Sequence, residues 1–273
     1  LYRQILYEVT DPVATITLNR PEVLNAWTAR MGNEVRHAVA QAEEDSKVVG
    51  IVITGAGRGF CSGADLKLLQ EVGDGTAKIN ETDILDADPG DPDMGQSFRG
   101  IYSYLMSVRK PIIAAINGPC VGLAVPIALY CDLRFASDRA SFSTAFPHRG
   151  LIAEWGISWT LPRLVGTANA MDLLISGREI NAGEAERMGL VNRVVPNDEL
   201  IQSAHEYVKR LAAESSPTSM RIMKQQLYQA WMEPLSETLE KSIRLMVESF
   251  GRPDFREGVQ SFLEKRPPDF ERI

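Results

Sequence analysis

Two apolar runs, each ending in a glycine-bearing turn that leads into an apolar helical pattern, constrain this chain more than anything else in it. The first is Val48-Val49-Gly50-Ile51-Val52-Ile53-Thr54, followed by Gly55-Ala56-Gly57-Arg58-Gly59-Phe60-Cys61-Ser62-Gly63-Ala64-Asp65-Leu66. The second is Pro111-Ile112-Ile113-Ala114-Ala115-Ile116, followed by Asn117-Gly118-Pro119-Cys120-Val121-Gly122-Leu123-Ala124. Each reads as buried strand, turn and helix start, the repeating unit of an α/β core. A helix start carries backbone N–H groups with no partner inside the helix. Two such corners can aim two donors at one oxygen, an arrangement that stabilises a developing oxyanion.

The first corner fails two simpler tests. A G-x-G-x-x-G dinucleotide fingerprint needs glycine at 60 or 62, where Phe60 and Ser62 stand. A nucleophile elbow, G-x-S-x-G, needs serine two residues after Gly59, and that residue is Cys61. A turn with no chemical role stays open for this corner taken alone.

Elsewhere, Val13-Ala14-Thr15-Ile16-Thr17-Leu18 alternates as an early strand, and Thr28 to Glu44 has helical spacing with Thr28 as its cap. From Asp198 onward the pattern turns helical, over Leu200 to Ala213, Pro217 to Trp231, Leu235 to Glu248 and Phe255 to Glu264. The run Ile112 to Cys131 approaches the length of a membrane span, but Asn117, Gly118, Pro119 and Pro126 interrupt it. A buried strand followed by a buried helix, with Pro126 in its first turn, explains that run better. Between Gln70 and Gln96 the chain is rich in Gly and Asp and predicts a mobile loop, either a lid or a plain solvated insertion.

With 273 residues, 44% of them hydrophobic, the chain can bury a large core. A formal net charge of −7 argues against nucleic acid or an anionic membrane as a partner. Cys61, Cys120 and Cys131 are odd in number and lack C-x-x-C spacing, so buried thiols are expected rather than disulfides or a zinc site. No leader-like run is visible, and the expected location is cytoplasmic. No His, Cys and carboxylate set has metal-ligand spacing. His37 and His205 read as helix-surface residues, while His148 either assists proton transfer or satisfies loop backbone groups.

Four segments together carry a family resemblance: Thr17-Leu18-Asn19-Arg20-Pro21-Glu22-Val23-Leu24-Asn25-Ala26, Arg58 to Lys67, the corner at Asn117-Gly118, and Ala185-Glu186-Arg187-Met188-Gly189-Leu190-Val191. In this order they resemble the crotonase superfamily, the enoyl-CoA hydratase/isomerase group. The resemblance implies a β-β-α spiral core, over residues 1–197 here, and a helical C-terminal region, over 198–273, that builds trimers or hexamers. It implies an acyl-CoA substrate and no separate cofactor, since coenzyme A is part of the substrate. By the same resemblance, Ala64 and Leu123 N–H hold the thioester oxygen, and Gly63 and Gly122 let the backbone approach it. Asn25, Ala26, Ser62 and Leu66 match positions lining the CoA groove, and Phe262 and Lys265 resemble a C-terminal CoA-contacting pair. Asp65 reads as a brace for the following helix.

Hydratases of the family use two carboxylates, one to activate water and one to protonate C2. Counting from the motifs, the first acid position holds Pro126 and the second Phe146. The segment from Phe142 through Gly166 is similar instead to peroxisomal-type enoyl-CoA isomerases and to the ring-enoyl isomerases of phenylacetate breakdown, whose single acid matches Glu154. One base suffices to move a double bond, because the proton leaves C2 and returns at C4 on one face. Ile152, Trp155 and Trp159 are expected to strip water from that carboxylate and strengthen it as a base. The expected activity is an enoyl-CoA isomerase, with Phe146 and Trp155 on the pocket wall. A hydratase using Glu154 alone and a non-catalytic acyl-CoA-binding member remain alternatives, as does Glu154 as a surface residue before a helix near Gly156.

Overall fold

The computed structural model describes residues 1–76 and 85–273. Six strands form the main sheet: β1 (Ile5–Thr10), β2 (Val13–Leu18), β3 (Gly50–Gly55), β4 (Ile112–Ile116), β6 (Leu133–Ser137) and β9 (Arg193–Val195), side by side in that order. β1 and β2 pair antiparallel, and every later pairing is parallel. β3 and β4 are buried along their whole length, which is why they read as continuous apolar runs rather than alternating ones.

A smaller sheet is built from β5 (Cys120–Val121), β7 (Ser141–Ser143) and β8 (Ile180–Asn181). Single bridges, Trp27 to Ala64 and Cys61 to Cys120, bring the first corner alongside this sheet. The main sheet therefore supplies the strands that feed the corners, and the small one fixes the corners against each other.

One face of the main sheet is covered by α1 (Ala29–Glu44), whose Met31, Val35, Ala38, Val39 and Ala42 are buried. Its start is capped as expected, with Thr28 Oγ1 accepting from Met31 N–H at 3.0 Å. The short helices α2 (Leu66–Gly73) and α3 (Ala124–Tyr130) follow the two corners. Pro126 is the third residue of α3, where its missing N–H costs nothing. Next come α4 (Ile157–Ser176), bent at Gly166, and α5 (Ala182–Arg187).

Four helices close the chain: α6 (Leu200–Glu214), α7 (Pro217–Ala230), α8 (Leu235–Ser249) and α9 (Pro253–Glu264). The change to helix comes where the pattern predicts it. The main core nevertheless continues past residue 197, because Leu200, Ala204 and Val208 of α6 pack with Val13, Val52, Ile113 and Phe135 on the other sheet face. α7 is tied in by polar contacts, Lys224 Nζ and Tyr228 Oη both donating to Asp132, at 2.7 and 2.8 Å. α8 and α9 instead expose Leu235, Leu239, Ile243, Phe250, Phe262 and Leu263.

The loop expected over 70–96 divides. Residues 77–84 lie outside the described residues. From Leu85 onward the segment is anchored rather than free: Arg36 donates to Ala87 O at 3.0 Å, and Gly90 N–H to Glu43 Oε2 at 2.7 Å. No helix among the described residues is long and apolar enough to cross a membrane.

Candidate active site

Two asparagines hold the first corner, Asn25 from the segment before α1 and Asn117 from the second corner. Asn25 Nδ2 donates to the carbonyls of Ala56 and Gly59, both at 2.9 Å, and of Phe60 at 3.2 Å, while its Oδ1 accepts from Arg20 N–H. Asn117 Oδ1 accepts from Gly55 N–H at 3.2 Å and Asn117 Nδ2 donates to Gly57 O at 3.0 Å. Backbone bonds finish the seam, Phe60 and Cys61 N–H to Pro119 O and Val121 N–H to Cys61 O. Asn25 is fully buried and lies behind the cleft wall, so it works as a brace rather than as a groove contact.

Gly63 has φ +96, and a side chain there would fall 2.8 Å from Val121 O and 3.5 Å from Leu123 N. Only glycine fits this backbone conformation and this approach of one corner to the other. The result places Ala64 and Leu123 on adjoining turns. Among the described residues neither N–H has a hydrogen-bond partner, whereas the neighbouring N–H groups of Asp65 and Val125 are satisfied by Trp27 O and Gly122 O. Both turns line one cleft of about 1200 Å³.

Ala26, Ser62, Gly63, Leu66, Gly122 and Phe146 line the same cleft. Phe146 is 4% exposed and lines the cleft with no acid function. Phe262 and Lys265 sit on and just after α9 and do not line the cleft of their own chain; Phe262 is 82% exposed.

Four acids line the cleft among the described residues: Glu22, Asp65, Asp86 and Glu154. Glu22 and Asp86 are exposed. Asp65 pairs with Arg20 at 2.8 Å and accepts from Lys67 N–H, so it braces the start of α2. Glu154 is half-buried and makes no hydrogen bond or ion pair to a described side chain. It precedes α4, whose N-cap is Gly156.

The aromatic surroundings of Glu154 differ from the expectation. Ile152 is 79% exposed and covers nothing, and Trp159 packs instead on Trp231, at 5.1 Å between ring centroids. Trp155 lines the cleft beside Glu154, and the rest of the aromatic wall comes from residues distant in sequence. Tyr102 stands edge-on to Trp27 at 6.0 Å and to Trp155 at 5.2 Å, linking the strand partner of Ala64 to the neighbour of Glu154. Burial pushes the Tyr102 hydroxyl up to about 12, with the Trp27 side chain opposing and the charge of Glu154 adding to the rise. The hydroxyl is therefore neutral at physiological pH. Tyr102 lies in a stretch without regular pattern, and nothing local in the sequence marks it.

The other chemically active residue types are set aside by their surroundings. Burial pushes the Cys61 thiol up to about 12, and all three cysteines are free and buried. His148 Nε2 meets Ser176 O at 2.9 Å, a loop-satisfying role, and His37 and His205 pair with Tyr2 and Thr15. Among the described residues no cluster of His, Cys, Asp and Glu could hold a metal ion.

The enoyl-CoA hydratase/isomerase family model matches residues 8–272 of the chain. The chain belongs to this family. Its enzymes act on acyl-CoA thioesters, and the fold is that of the crotonase superfamily. A probable enoyl-CoA hydratase of Rhodobacter capsulatus is 37% identical over 272 residues, covering 98% of each chain. The 1,2-epoxyphenylacetyl-CoA isomerase of Escherichia coli is 34% identical over 271 residues, covering 97% of each. Among solved structures, an enoyl-CoA hydratase/isomerase from Mycobacterium paratuberculosis superimposes with a TM-score of 0.85 at 30% identity, covering 99% of each chain. In a family that includes both hydratases and isomerases, the acid-base groups decide the reaction.

Proposed function

We propose that this protein is an enoyl-CoA isomerase with one acid-base residue, Glu154. The observation that carries the reading is the set of cleft acids: Glu154 is half-buried and unpaired among the described residues, while Phe146 lines the wall with no acid function and Pro126 is buried within α3. The thioester oxygen accepts hydrogen bonds from Ala64 and Leu123 N–H. Glu154 removes a proton from C2, the C2–H electron pair moves into conjugation with the carbonyl, and the resulting enolate is held by the two donors. The same carboxyl group returns the proton at C4, and the double bond comes to rest between C2 and C3. Coenzyme A enters and leaves as part of the substrate.

Hydration by Glu154 alone is a second reading, favoured by the Rhodobacter relative's name. The two separate on one preparation, by following absorbance with 3-enoyl-CoA and with 2-enoyl-CoA. Each positioned acid or base contributes about 10²–10⁴-fold, so a site with one carboxylate should isomerise at least about 10²-fold faster than it hydrates. Dominant hydration would refute the isomerase assignment.

The assembled enzyme is a homotrimer or a pair of trimers. The exposed apolar rows on α8 and α9 support this, since faces of that extent are normally covered in solution. Phe262 and Lys265, which do not line their own cleft, would meet acyl-CoA through a neighbouring copy. Sedimentation of an active monomer would overturn the assembly.

A further inference from the structure

The turn that carries Glu154 is unusual. Trp155, the next residue, has φ +54, in the left-handed region that a bulky side chain rarely adopts, and Gly156 follows at φ +72. Two consecutive left-handed residues require something to hold them, because such conformations cost of order 1–3 kcal/mol each for non-glycine residues and persist only where the surroundings over-determine them. The holding contact is visible. Tyr130 Oη donates to Trp155 O at 2.7 Å, and the same oxygen lies 2.5 Å from where a side chain on Gly156 would begin.

Tyr130 is the last residue of α3, and Leu123 is the N-cap of that helix. One seven-residue helix thus has an oxyanion donor at its start and the clamp on the Glu154 turn at its end. The helix is buried throughout, and Tyr130 itself is 8% exposed. Burial raises the Tyr130 hydroxyl, which keeps its proton and remains a donor. The Glu154 side chain makes no hydrogen bond to a described residue, so its placement depends on its backbone, where Ile157 N–H donates to Glu154 O at 3.1 Å.

We propose that Tyr130 is a positioning residue for the isomerisation: by clamping the Trp155 carbonyl it sets the distance from Glu154 to the thioester held at Leu123. This rests on Glu154 being the base. The ring of Tyr130 contributes to packing, and the hydroxyl contributes to geometry. Removing only the hydroxyl should leave fold and binding in place while the carboxylate loses its alignment. A displacement of about 1 Å at a reacting group costs up to about 10²-fold in rate.

The experiment compares wild type, Tyr130→Phe and Glu154→Gln with one 3-enoyl-CoA substrate. Tyr130→Phe should lower kcat about 10- to 100-fold with KM within about twofold. Its thermal midpoint should fall by no more than about 4 °C, the effect of one lost hydrogen bond. Glu154→Gln should lose about 10²–10⁴-fold in kcat. Unchanged kcat in Tyr130→Phe beside that loss in Glu154→Gln overturns the positioning role alone, and so does a loss shared between kcat and KM. A Glu154→Gln variant without that loss overturns both this role and the base assignment.

Gly156→Ala supplies an independent arm. Its new methyl meets Tyr130 Oη, whereas in Tyr130→Phe the nearest ring atom is Cζ at 3.8 Å. Both changes break one contact, so the double variant should lose less than the product of the two single losses. Fully multiplicative losses would count against the clamp.

Discussion

The turn bearing Ala64 and the turn bearing Glu154 face one cleft but are built in opposite ways. The first is over-determined: Asn25 and Asn117 between them occupy the carbonyls of Ala56, Gly57, Gly59 and Phe60, and backbone bonds from Phe60, Cys61 and Val121 close the seam. The second is held more lightly, by Tyr130 Oη to Trp155 O, Thr160 Oγ1 to Gly156 O and Ile157 N–H to Glu154 O, and its carboxylate is not bonded to a described residue. The difference matches the chemistry each is assigned. A donor to an oxyanion stabilises charge only if it is fixed in advance. A carboxylate that takes a proton at C2 and delivers it at C4 must reach two carbons.

A large effect should come from the rigid turn. Ala64→Pro removes one donor to the enolate, and turnover should fall about 10²–10³-fold. Circular dichroism must show a folded protein for the result to count. Near-normal turnover in a folded variant would place the oxyanion donors elsewhere and dissolve the comparison.

Asn25→Ala tests how much of that rigidity comes from one buried side chain. The carbonyls of Ala56, Gly59 and Phe60 would lose a shared donor, and each buried polar group left unpaired costs about 1–3 kcal/mol. Stability to urea should therefore fall by about 3 kcal/mol, with activity falling alongside it. In Tyr130→Phe the two should separate, with activity falling while stability holds. If Asn25→Ala also spared stability, the turns would not differ in kind.

The contrast also explains what the sequence disclosed. The rigid corners were legible because their constraint is local: an apolar strand, glycines at fixed spacing and a helix start all lie within about 20 residues. Thr28 as a cap and Pro126 in the first turn of α3 were legible for the same reason. The surroundings of Glu154 were not, since most of its aromatic wall comes from Tyr102 and Trp27 and its clamp from Tyr130, all distant in sequence. Of the neighbours in sequence, Trp155 lines the cleft, but Ile152 points to solvent and Trp159 packs on Trp231. Helix was likewise readable after Asp198, but the packing of α6 beneath the main sheet depends on Leu200, Ala204 and Val208 meeting strands far earlier in the chain.

The smallest expected effect lies outside both turns. Burial, then Lys209, lowers the pKa of His205, which meets Thr15 Oγ1 at 2.9 Å, while Glu8 opposes. The folded state thus favours the neutral ring. Its contribution to stability is present above the unfolded histidine value of about 6.5 and declines as pH falls through that value. Urea midpoints measured between about pH 5 and 8 should show a weaker acid-side loss in His205→Gln than in wild type, with turnover at neutral pH unchanged. An identical pH profile in the two proteins would remove His205 from the account.

The central claim is that one carboxylate moves the proton, and Glu154→Gln tests it most directly when binding and turnover are measured on the same preparation. The amide keeps the shape of the side chain but cannot accept the C2 proton. Isomerisation of 3-enoyl-CoA, followed by absorbance, should fall about 10²–10⁴-fold while acyl-CoA affinity, measured by calorimetry, stays within about threefold. A variant that binds acyl-CoA normally and still isomerises at the wild-type rate would contradict the claim.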